Sequence, residues 1–310
     1  MKDVVIIGAG IAGITAALYL KRGNKDVLLI EKGVLGGAIN ITSTIKNYPS
    51  VSNISGPQFS NLLLNQVMDN KIDMRFATVL NIEHKDDYQV VQLKNEDIKC
   101  KYVIIATGKE IRKLNVPGEE ELSGHGVSYC ALCDGPLYKN KHVAVVGTGT
   151  AALEEALFLA DICKKVTILA KYDYFKADDK LIDDIKSRKN IDILYSSMVT
   201  KFNEKDGKLS SLIYKHEKEE KELKVDGCFI YIGSSPNIFS KLNLELDGNY
   251  IKVNELMQTN IPGIYAAGDV IKKSLYQLVT ATNDGAIAAT SILKELNKKW
   301  FRLQLMLKMK

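Results

Sequence analysis

The pattern of apolar and polar residues predicts two strand–loop–helix units, one at the start of the chain and one near its middle. Residues 4–7 form a continuous apolar run, as expected for a strand that is buried on both faces of a parallel sheet. A glycine-rich loop follows, then a helical stretch over 14–21 and a second buried strand over 27–30. Residues 143–146 begin the same series again, which makes the two units a form of internal repeat.

The segments between and after these units complete the predicted fold. A helix is expected over 57–69, and antiparallel strands are expected over 73–103. The chain returns at 263–269 to a buried strand and then to a helix over about 280–296. The C-terminal residues 298–310 are basic and apolar without a clean helical period, which predicts a partly ordered tail packed on the last helix.

The order of these segments predicts the α/β fold class, with two Rossmann-like dinucleotide-binding domains of three layers (ββα), the second inserted into the first. The first domain is expected at 1–114 and 238–310, and the inserted domain at 115–237, with connections near Gly118 and Pro236. The length of 310 residues is sufficient for two separate cores.

The first glycine loop has the features of a dinucleotide-binding site. Gly8 permits a tight turn, Gly10 lets the backbone approach a pyrophosphate, and Gly13 allows close helix–strand packing. The helix N-terminus then presents free N–H groups to the phosphates. Glu31 follows the second strand, where a carboxylate binds a ribose hydroxyl. Together these features favour a bound dinucleotide over a glycine-rich turn without a ligand.

Two later strands end in residues that could complete a site for FAD. Thr107-Gly108 ends one strand and Gly268-Asp269 ends another, and both would lie at the carboxyl edge of the sheet. The carboxylate of Asp269 could accept hydrogen bonds from a ribityl hydroxyl of FAD. An N-cap on the following segment is the better interpretation of Asp269 taken alone, but not beside the first loop.

The most informative feature of the chain is the pair Cys130 and Cys133. A Cys-x-x-Cys pair exchanges readily between dithiol and disulfide, because the short loop holds the two sulfurs together. The alternatives are half a zinc site or two buried thiols. Zinc needs four ligands, and the remaining cysteines, Cys100, Cys163 and Cys228, are isolated in the sequence. The spacing therefore favours a redox-active pair.

Asp134 directly follows the second cysteine. Opening a disulfide produces a leaving thiolate, which takes a proton from a nearby acid. Asp134 is therefore predicted to transfer protons, and the alternative is a turn residue before Gly135.

The overall composition limits the partners and the location of the protein. The net charge of +5 arises from scattered lysines interleaved with acids, which is typical of a solvated surface and predicts no nucleic-acid partner. No apolar stretch is long enough to serve as a signal or membrane segment, so no membrane association is expected. Five cysteines in a chain of this length fit a reducing compartment, here the cytoplasm. The four histidines are scattered and suggest no metal site.

An ordered set of motifs gives the chain a family resemblance. The motifs are Gly8-Ala-Gly-Ile-Ala-Gly13, Gly36-Gly37, Asn47-Tyr-Pro49, Ala106-Thr-Gly108, Cys130-Ala-Leu-Cys-Asp134, Gly147-Thr-Gly-Thr-Ala-Ala152 and Ala266-Ala-Gly-Asp269. To about residue 296, the chain resembles the low-molecular-weight bacterial thioredoxin reductases. The resemblance implies a homodimeric FAD protein that reduces thioredoxin. It also implies that Cys133 lies nearer the flavin, that Cys130 attacks thioredoxin, and that Asp134 serves the dithiol as proton donor and acceptor.

The resemblance also implies the residues that contact the cofactor. The expected set is Gly8, Gly10, Ile11, Ala12, Gly13, Glu31, Lys32, Gly36, Gly37, Asn47, Val79, Ala106, Thr107, Gly108, Gly268, Asp269, Gln277, Leu278 and Val279.

The second loop departs from the family pattern and makes NADPH a doubtful cofactor. Members that use NADPH carry a His-Arg-Arg run after the second strand and another Arg four residues on, where this chain has Ala170-Lys-Tyr172 and Lys176. Arginine grips a 2′-phosphate with two parallel hydrogen bonds, whereas lysine offers a point charge. Tyr276-Gln277 replaces the Arg-Gln of many such members and resembles the ferredoxin-dependent branch. The sequence slightly favours a donor such as reduced ferredoxin over NADPH held weakly by Lys171 and Lys176.

Two other functions are open at this point. One is a non-catalytic FAD protein that signals redox state through its disulfide, and rapid turnover of a thioredoxin disulfide would exclude it. The other is the reductase of a peroxiredoxin system, which usually carries an additional N-terminal dithiol domain that is not present here.

Overall fold

The computed structural model describes residues 1–42, 44–236 and 239–308, with side chains in the last helix described as far as residue 297. The chain forms two compact units. The first comprises Met1–Asn40, Pro57–Glu110 and Ser235–Lys310, and the second comprises Ile41–Gly56 and Ile111–Ser234. Residues 41–56, which the sequence assigns to the first domain, thus group with the second unit. An antiparallel bridge between Ile45 and Ile54 closes this segment into a loop.

The helices and strands follow in chain order. The helices are α1 (Ile11–Arg22), α2 (Gly56–Asp69), α3 (Ala131–Asp134), α4 (Thr150–Ala160), α5 (Asp179–Ser187) and α6 (Leu278–Lys308). The strands are β1 (Lys2–Ile7), β2 (Val27–Glu31), β3 (Asp73–Phe76), β4 (Asn81–His84), β5 (Gln89–Gln92), β6 (Asp97–Ile105), β7 (Lys109–Ile111), β8 (Val127–Ser128), β9 (His142–Val146), β10 (Lys165–Leu169), β11 (Ile191–Leu194), β12 (Ser197–Lys205), β13 (Lys208–His216), β14 (Glu219–Lys224), β15 (Gly227–Ile230), β16 (Ser234–Pro236), β17 (Leu246–Asp247), β18 (Tyr250–Ile251) and β19 (Ile264–Ala266). 3₁₀ turns cover Gly37–Ile41 and Gly135–Tyr138.

The first unit is built on a seven-stranded sheet in the order β3-β2-β1-β6-β5-β4, with β19 also paired to β6. β1, β2, β3, β6 and β19 run parallel, and β4, β5 and β6 form an antiparallel extension. The sequence was wrong about β3, which it placed among antiparallel strands. β3 pairs parallel to β2 because α2 carries the chain back before it.

Helices α1 and α6 pack against each other in the first unit. A Cβ atom on Gly285 of α6 would lie 2.2 Å from the carbonyl oxygen of Ala12 in α1, so glycine permits this close approach. α6 begins near the predicted position but continues to Lys308, beyond the predicted end near residue 296. Across the described residues, no helix is both long enough and apolar enough to cross a membrane.

The second unit contains a five-stranded parallel sheet and a three-stranded antiparallel sheet. The parallel sheet has the order β11-β10-β9-β15-β8, and the antiparallel sheet has the order β12-β13-β14. β9 and β10 are buried apolar strands, and α4 between them buries Leu153, Ala156 and Leu159 in the same hydrophobic cluster. These layers give the α/β Rossmann-like fold that the sequence predicts.

Candidate functional site

The loop between β1 and α1 is fixed by close backbone contacts. Gly8 has a φ of +105°, and a Cβ atom there would lie 2.3 Å from the carbonyl oxygen of Ala106. A Cβ on Gly13 would lie 1.9 Å from the carbonyl oxygen of Gly8. By contrast, the Cβ position of Gly10 has no atom within 4 Å. The loop is therefore tightly packed behind and open at Gly10, which leaves room for a phosphate group at the start of α1.

The carboxylate of Glu31 is held beside this loop. Glu31 is buried, and its Oε2 accepts a hydrogen bond of 2.7 Å from the backbone N–H of Ala9. Its Oε1 accepts a second bond of 2.9 Å from the N–H of Gly33. Each carboxylate oxygen has two lone pairs, so both can still accept a ribose hydroxyl. The acid predicted to bind ribose thus has a fixed orientation at the end of β2.

Other predicted residues meet at the same edge of the sheet. Gly36 donates its N–H to the carbonyl oxygen of Ala9 at 2.8 Å. Ala106 lies against the loop, and a Cβ on Gly268 would lie 2.9 Å from the Cβ of Ala12. The carboxyl ends of β1, β2, β6 and β19 therefore converge, as the sequence predicts for a ligand site in a parallel sheet.

Asp269 is held in an ion-pair network that the sequence did not predict. Its carboxylate oxygens lie 3.4 Å from Nζ of Lys273 and 4.0 Å from Nζ of Lys109. Lys273 also donates to Oδ2 of Asp284 at 2.8 Å, and the same oxygen accepts the N–H of Gly268 at 3.2 Å. The network fixes the turn that carries Asp269. One residue could have indicated this network: Asp284 is an acid on the buried face of an apolar helix, where it needs a polar partner.

Several predicted cofactor contacts have other described partners. Lys32 forms an exposed ion pair of 2.6 Å with Glu110. Val79 packs on the hydrophobic core of the first unit. Gln277 directly precedes α6, Leu278 and Val279 are its first two residues, and the side chain of Val279 is exposed. A role for these residues in binding FAD stays a prediction.

The redox pair lies at the start of α3. Cys130 and Cys133 form a disulfide with a Cα–Cα distance of 5.3 Å, and Sγ of Cys130 accepts the N–H of Cys133 at 3.2 Å. The other cysteines are buried free thiols. Burial raises the pKa of Cys100 to about 12 and that of Cys163 to about 11, so these thiols are protonated near neutral pH and poor nucleophiles. No cluster of three or more His, Cys, Asp or Glu side chains suited to a metal occurs within the described ranges.

Two buried side chains, Asp134 and Ser128, and the partly buried Tyr231 hold the turn that carries the disulfide. Asp134 is buried and accepts a hydrogen bond of 2.6 Å from Oγ of Ser128. The same Oγ accepts the N–H of Cys130 at 3.1 Å. The N–H of Ala131 donates to the phenol oxygen of Tyr231 at 2.6 Å. Sequence reasoning identified the cysteines and Asp134 but missed Ser128 and Tyr231, because no motif distinguishes a supporting serine or tyrosine from an ordinary one.

A small cavity opens beside Cys133 within the second unit. Its volume is about 200 Å³, and it is lined by Thr44, Lys46, Asn47, Leu132, Cys133, Pro136 and Leu137. Asn47, predicted from the sequence to contact FAD, therefore lies on the same cavity as the cysteine predicted to be nearer the flavin. The apolar side chains of Leu132 and Leu137 are partly exposed.

The second glycine loop has a different set of side chains around it. Thr148 in this loop accepts the N–H of Lys176 through its carbonyl oxygen at 2.7 Å. The Nζ atoms of Lys171 and Lys176 lie 5.7 and 5.3 Å from the ring centroid of Tyr172. Tyr172 stacks on Tyr174 with a centroid distance of 5.4 Å. Two cations thus meet at one partly exposed aromatic ring beyond β10.

Comparison with known proteins agrees with this geometry. The profile of the pyridine nucleotide-disulphide oxidoreductase family matches residues 2–285. Two proteins named thioredoxin reductase, from Bacillus subtilis and Listeria monocytogenes, are each 41% identical over 94% of this chain and 93% of their own. The crystal structure of thioredoxin reductase from Streptococcus pyogenes superposes with a TM-score of 0.92 at 37% identity, covering 96% of this chain and 99% of that one.

Proposed function

We propose that this chain, which belongs to the pyridine nucleotide-disulphide oxidoreductase family and within it to the thioredoxin reductases, is an FAD-dependent enzyme that reduces the disulfide of thioredoxin. The observation that carries the proposal is the Cys130–Cys133 disulfide followed directly by the buried carboxyl group of Asp134. The pair supplies the exchangeable sulfurs, and the carboxyl group supplies a proton where a thiolate leaves.

The residues at the sheet edge of the first unit fit FAD. The open position at Gly10 would receive the pyrophosphate, Glu31 would bind a ribose hydroxyl and Asp269 a ribityl hydroxyl. When bound, FAD supplies the two electrons that open the Cys130–Cys133 disulfide. The Ala9 and Gly33 N–H groups orient Glu31 before any ligand arrives, so little reorganisation is needed on binding.

Thiol–disulfide exchange then follows from the dithiol. The thiolate of Cys130 attacks one sulfur of the thioredoxin disulfide; the new S–S bond forms as the old one breaks, and the leaving sulfur takes the electron pair. Asp134 gives that sulfur a proton. The thiolate of Cys133 next attacks Cys130 and restores the internal disulfide. The second thioredoxin sulfur leaves with an electron pair and takes a proton from solvent.

The electron donor is the finer part of the proposal, and we propose a donor other than NADPH, such as reduced ferredoxin. The absence of arginine at positions 170–172 and at Lys176 supports this choice. One observation favours NADPH instead, namely the two ammonium groups of Lys171 and Lys176 over Tyr172, which could hold a phosphate as point charges. Anaerobic mixing of the oxidised holoenzyme with NADPH, NADH and reduced ferredoxin, each in turn, identifies the donor by the loss of flavin absorbance.

Substitution of the cysteines tests the relay. We expect Cys130→Ser and Cys133→Ser each to reduce thioredoxin turnover to background, because neither variant can form the internal disulfide. Cys163→Ala is the matched control: this thiol is buried in the same unit, and its loss should leave turnover near the original rate. Wild-type turnover in either single variant would refute the dithiol relay, and failure of the unchanged protein to turn over thioredoxin would favour a redox-sensing role.

The proposal includes a homodimer, as the family resemblance implies, and a location in the cytoplasm, as the cysteine content indicates. Light scattering of the purified holoenzyme after size exclusion measures the mass, and a value near twice 34.4 kDa supports the dimer.

A further inference from the structure

We infer that Ser128 is a positioning residue that holds the carboxyl group of Asp134 and sets the pH range over which this group carries its proton. The inference rests on the proposed function, because it concerns the acid of the thiol–disulfide step. Ser128 does not touch a reacting sulfur in the described contacts. It acts through Asp134 and through the backbone of Cys130.

The hydrogen bonds of Ser128 determine where its proton lies. A serine hydroxyl has one donor and two acceptor sites. The oxygen accepts the N–H of Cys130 at 3.1 Å and lies 2.6 Å from Oδ2 of Asp134. A distance of about 2.6 Å is typical of a hydroxyl that donates to a charged carboxylate. The other acceptor in reach, the carbonyl oxygen of Cys130, lies at 3.5 Å, so the proton points to Asp134.

The position of Ser128 is rigid. It is buried at the end of β8, where it pairs with Phe229 of β15 in the parallel sheet. The hydroxyl group therefore joins a fixed strand to the turn of the disulfide. One oxygen connects the residue whose sulfur attacks, Cys130, with the acid that gives the proton, Asp134.

A donated hydrogen bond stabilises the charged form of a carboxyl group and so lowers its pKa relative to the same group without that bond. The charge of Asp134 acts on two phenols of neighbouring elements, Tyr138 and Tyr231. Burial, and after it the charge of Asp134, raises the pKa of Tyr138 to about 12. Burial and the charge of Glu155, with a smaller contribution from Asp134, raise the pKa of Tyr231. Both phenols stay neutral where the enzyme works, so they do not titrate together with Asp134.

The test compares two isosteric variants, Ser128→Thr, which keeps the hydroxyl, and Ser128→Val, which replaces it with a methyl group. Two rates are measured in the holoenzyme against pH: thioredoxin turnover, and opening of the Cys130–Cys133 disulfide by dithiothreitol. Each pH–rate profile should have an acid limb, which is the pH range in which the rate changes because Asp134 loses its proton. In Ser128→Val we expect this limb to move upward by about one pH unit, since a hydrogen bond to a charged group corresponds to about a tenfold change in proton affinity. Ser128→Thr should retain the original limb.

Two further variants separate this role from simple support of the fold. Ser211 is also buried in the second unit and donates to a carboxylate, Oε1 of Glu222, at 2.5 Å. Ser211→Ala should leave the limb unmoved. In an Asp134→Asn background the limb should be missing, and Ser128→Val should then cause no further shift.

The outcomes separate this inference from the proposed function. An unshifted limb in a folded Ser128→Val variant, or equal shifts in the Thr and Val variants, would overturn the inference. A limb that survives Asp134→Asn would overturn it as well. If the unchanged protein fails to reduce thioredoxin but the dithiothreitol limb shifts as expected, the proposed function fails and the role of Ser128 stands.

Discussion

The chain contains two strand–loop–helix units of the same design, and they differ in the side chains at or directly after the end of the second strand. In the first unit β2 ends in Glu31, whose carboxylate accepts the N–H of Ala9 in the glycine loop. In the second unit β10 is followed by Ala170, which has no polar side chain, and then by Lys171. The backbone pattern is shared, whereas the groups that would select a ligand are not.

The difference separates the two functions of a strand–loop–helix unit, which are to bind the phosphates of a ligand and to select its ribose. Small residues let the helix N-terminus approach a phosphate, and this requirement is met in both loops. In such units the residue at the end of the second strand is the one that selects the ribose of the ligand. Even the small residues are not equivalent: a Cβ on Gly13 would lie 1.9 Å from a backbone oxygen, whereas the corresponding Ala152 is buried with a Cβ already in place. The packing around the first loop therefore requires glycine at this position, whereas the second loop accepts alanine.

The largest expected effect comes from filling the first loop. Gly13→Val would force a side chain against the carbonyl oxygen of Gly8. That oxygen cannot move without distorting the glycine loop between β1 and α1. We expect loss of bound FAD and a decrease in the free energy of unfolding of about 3 kcal/mol or more. Flavin absorbance per chain and thermal unfolding measure both.

The matched change in the second loop is Ala152→Gly. It should cost about 1 kcal/mol of helix stability and leave FAD bound. Full flavin content in Gly13→Val, or its loss in Ala152→Gly, would contradict the assignment of FAD to the first loop.

A smaller effect is expected at the acid that distinguishes the two units. Glu31→Gln keeps the shape of the side chain but removes the charge that strengthens its bonds to Ala9 and to a ribose hydroxyl. A hydrogen bond to a charged group is worth about 1.5–3 kcal/mol, so the Kd for FAD should rise by about ten- to a hundredfold. Fluorescence titration of the apoprotein with FAD gives the Kd.

Glu110→Gln serves as the control, because Glu110 is an exposed acid of the same unit that forms an ion pair with Lys32. An exposed pair contributes about 0–1 kcal/mol, so the Kd should change little. Equal effects of the two substitutions would show that Glu31 acts through general charge and not through the ribose contact.

The features that could be predicted from the sequence are those that depend on residues close together in the chain. The β1–loop–α1–β2 series, Glu31 and the cysteine pair all follow from local patterns, and the structure contains each of them. The direction of β3 did not follow, because an alternating pattern fixes which face a side chain takes but not which strand lies beside it. The length of α6 was also missed, since the sequence beyond residue 296 has no clean helical period.

Contacts between residues far apart in the chain could not be predicted from the sequence either, because a local pattern does not show which strands and helices are neighbours. Tyr231 reaches the N–H of Ala131 across 100 positions, and Asp284 reaches Gly268 across 16. Each contact depends on which strands and helices are neighbours in the fold. Buried polar groups are almost always hydrogen-bonded, so a buried acid such as Asp284 signals that a partner exists without saying which one.

The smallest expected effect concerns the second loop. Since we propose a donor other than NADPH, the double substitution Lys171→Ala with Lys176→Ala should change turnover with the working donor by less than about twofold, because the interactions of exposed charges contribute about 0–1 kcal/mol. Lys201→Ala with Lys205→Ala removes two exposed lysines from β12 and is the matched control.

If Lys171 and Lys176 instead bind a 2′-phosphate, their double substitution should raise the KM for NADPH by about tenfold or more, at about 1.4 kcal/mol per tenfold, and leave the KM for NADH unchanged. A low micromolar KM for NADPH with fast turnover in the unchanged enzyme would show that Lys171 and Lys176 suffice and that the ferredoxin proposal is wrong. The two glycine loops would then both bind dinucleotides, and their difference would be one of phosphate recognition alone.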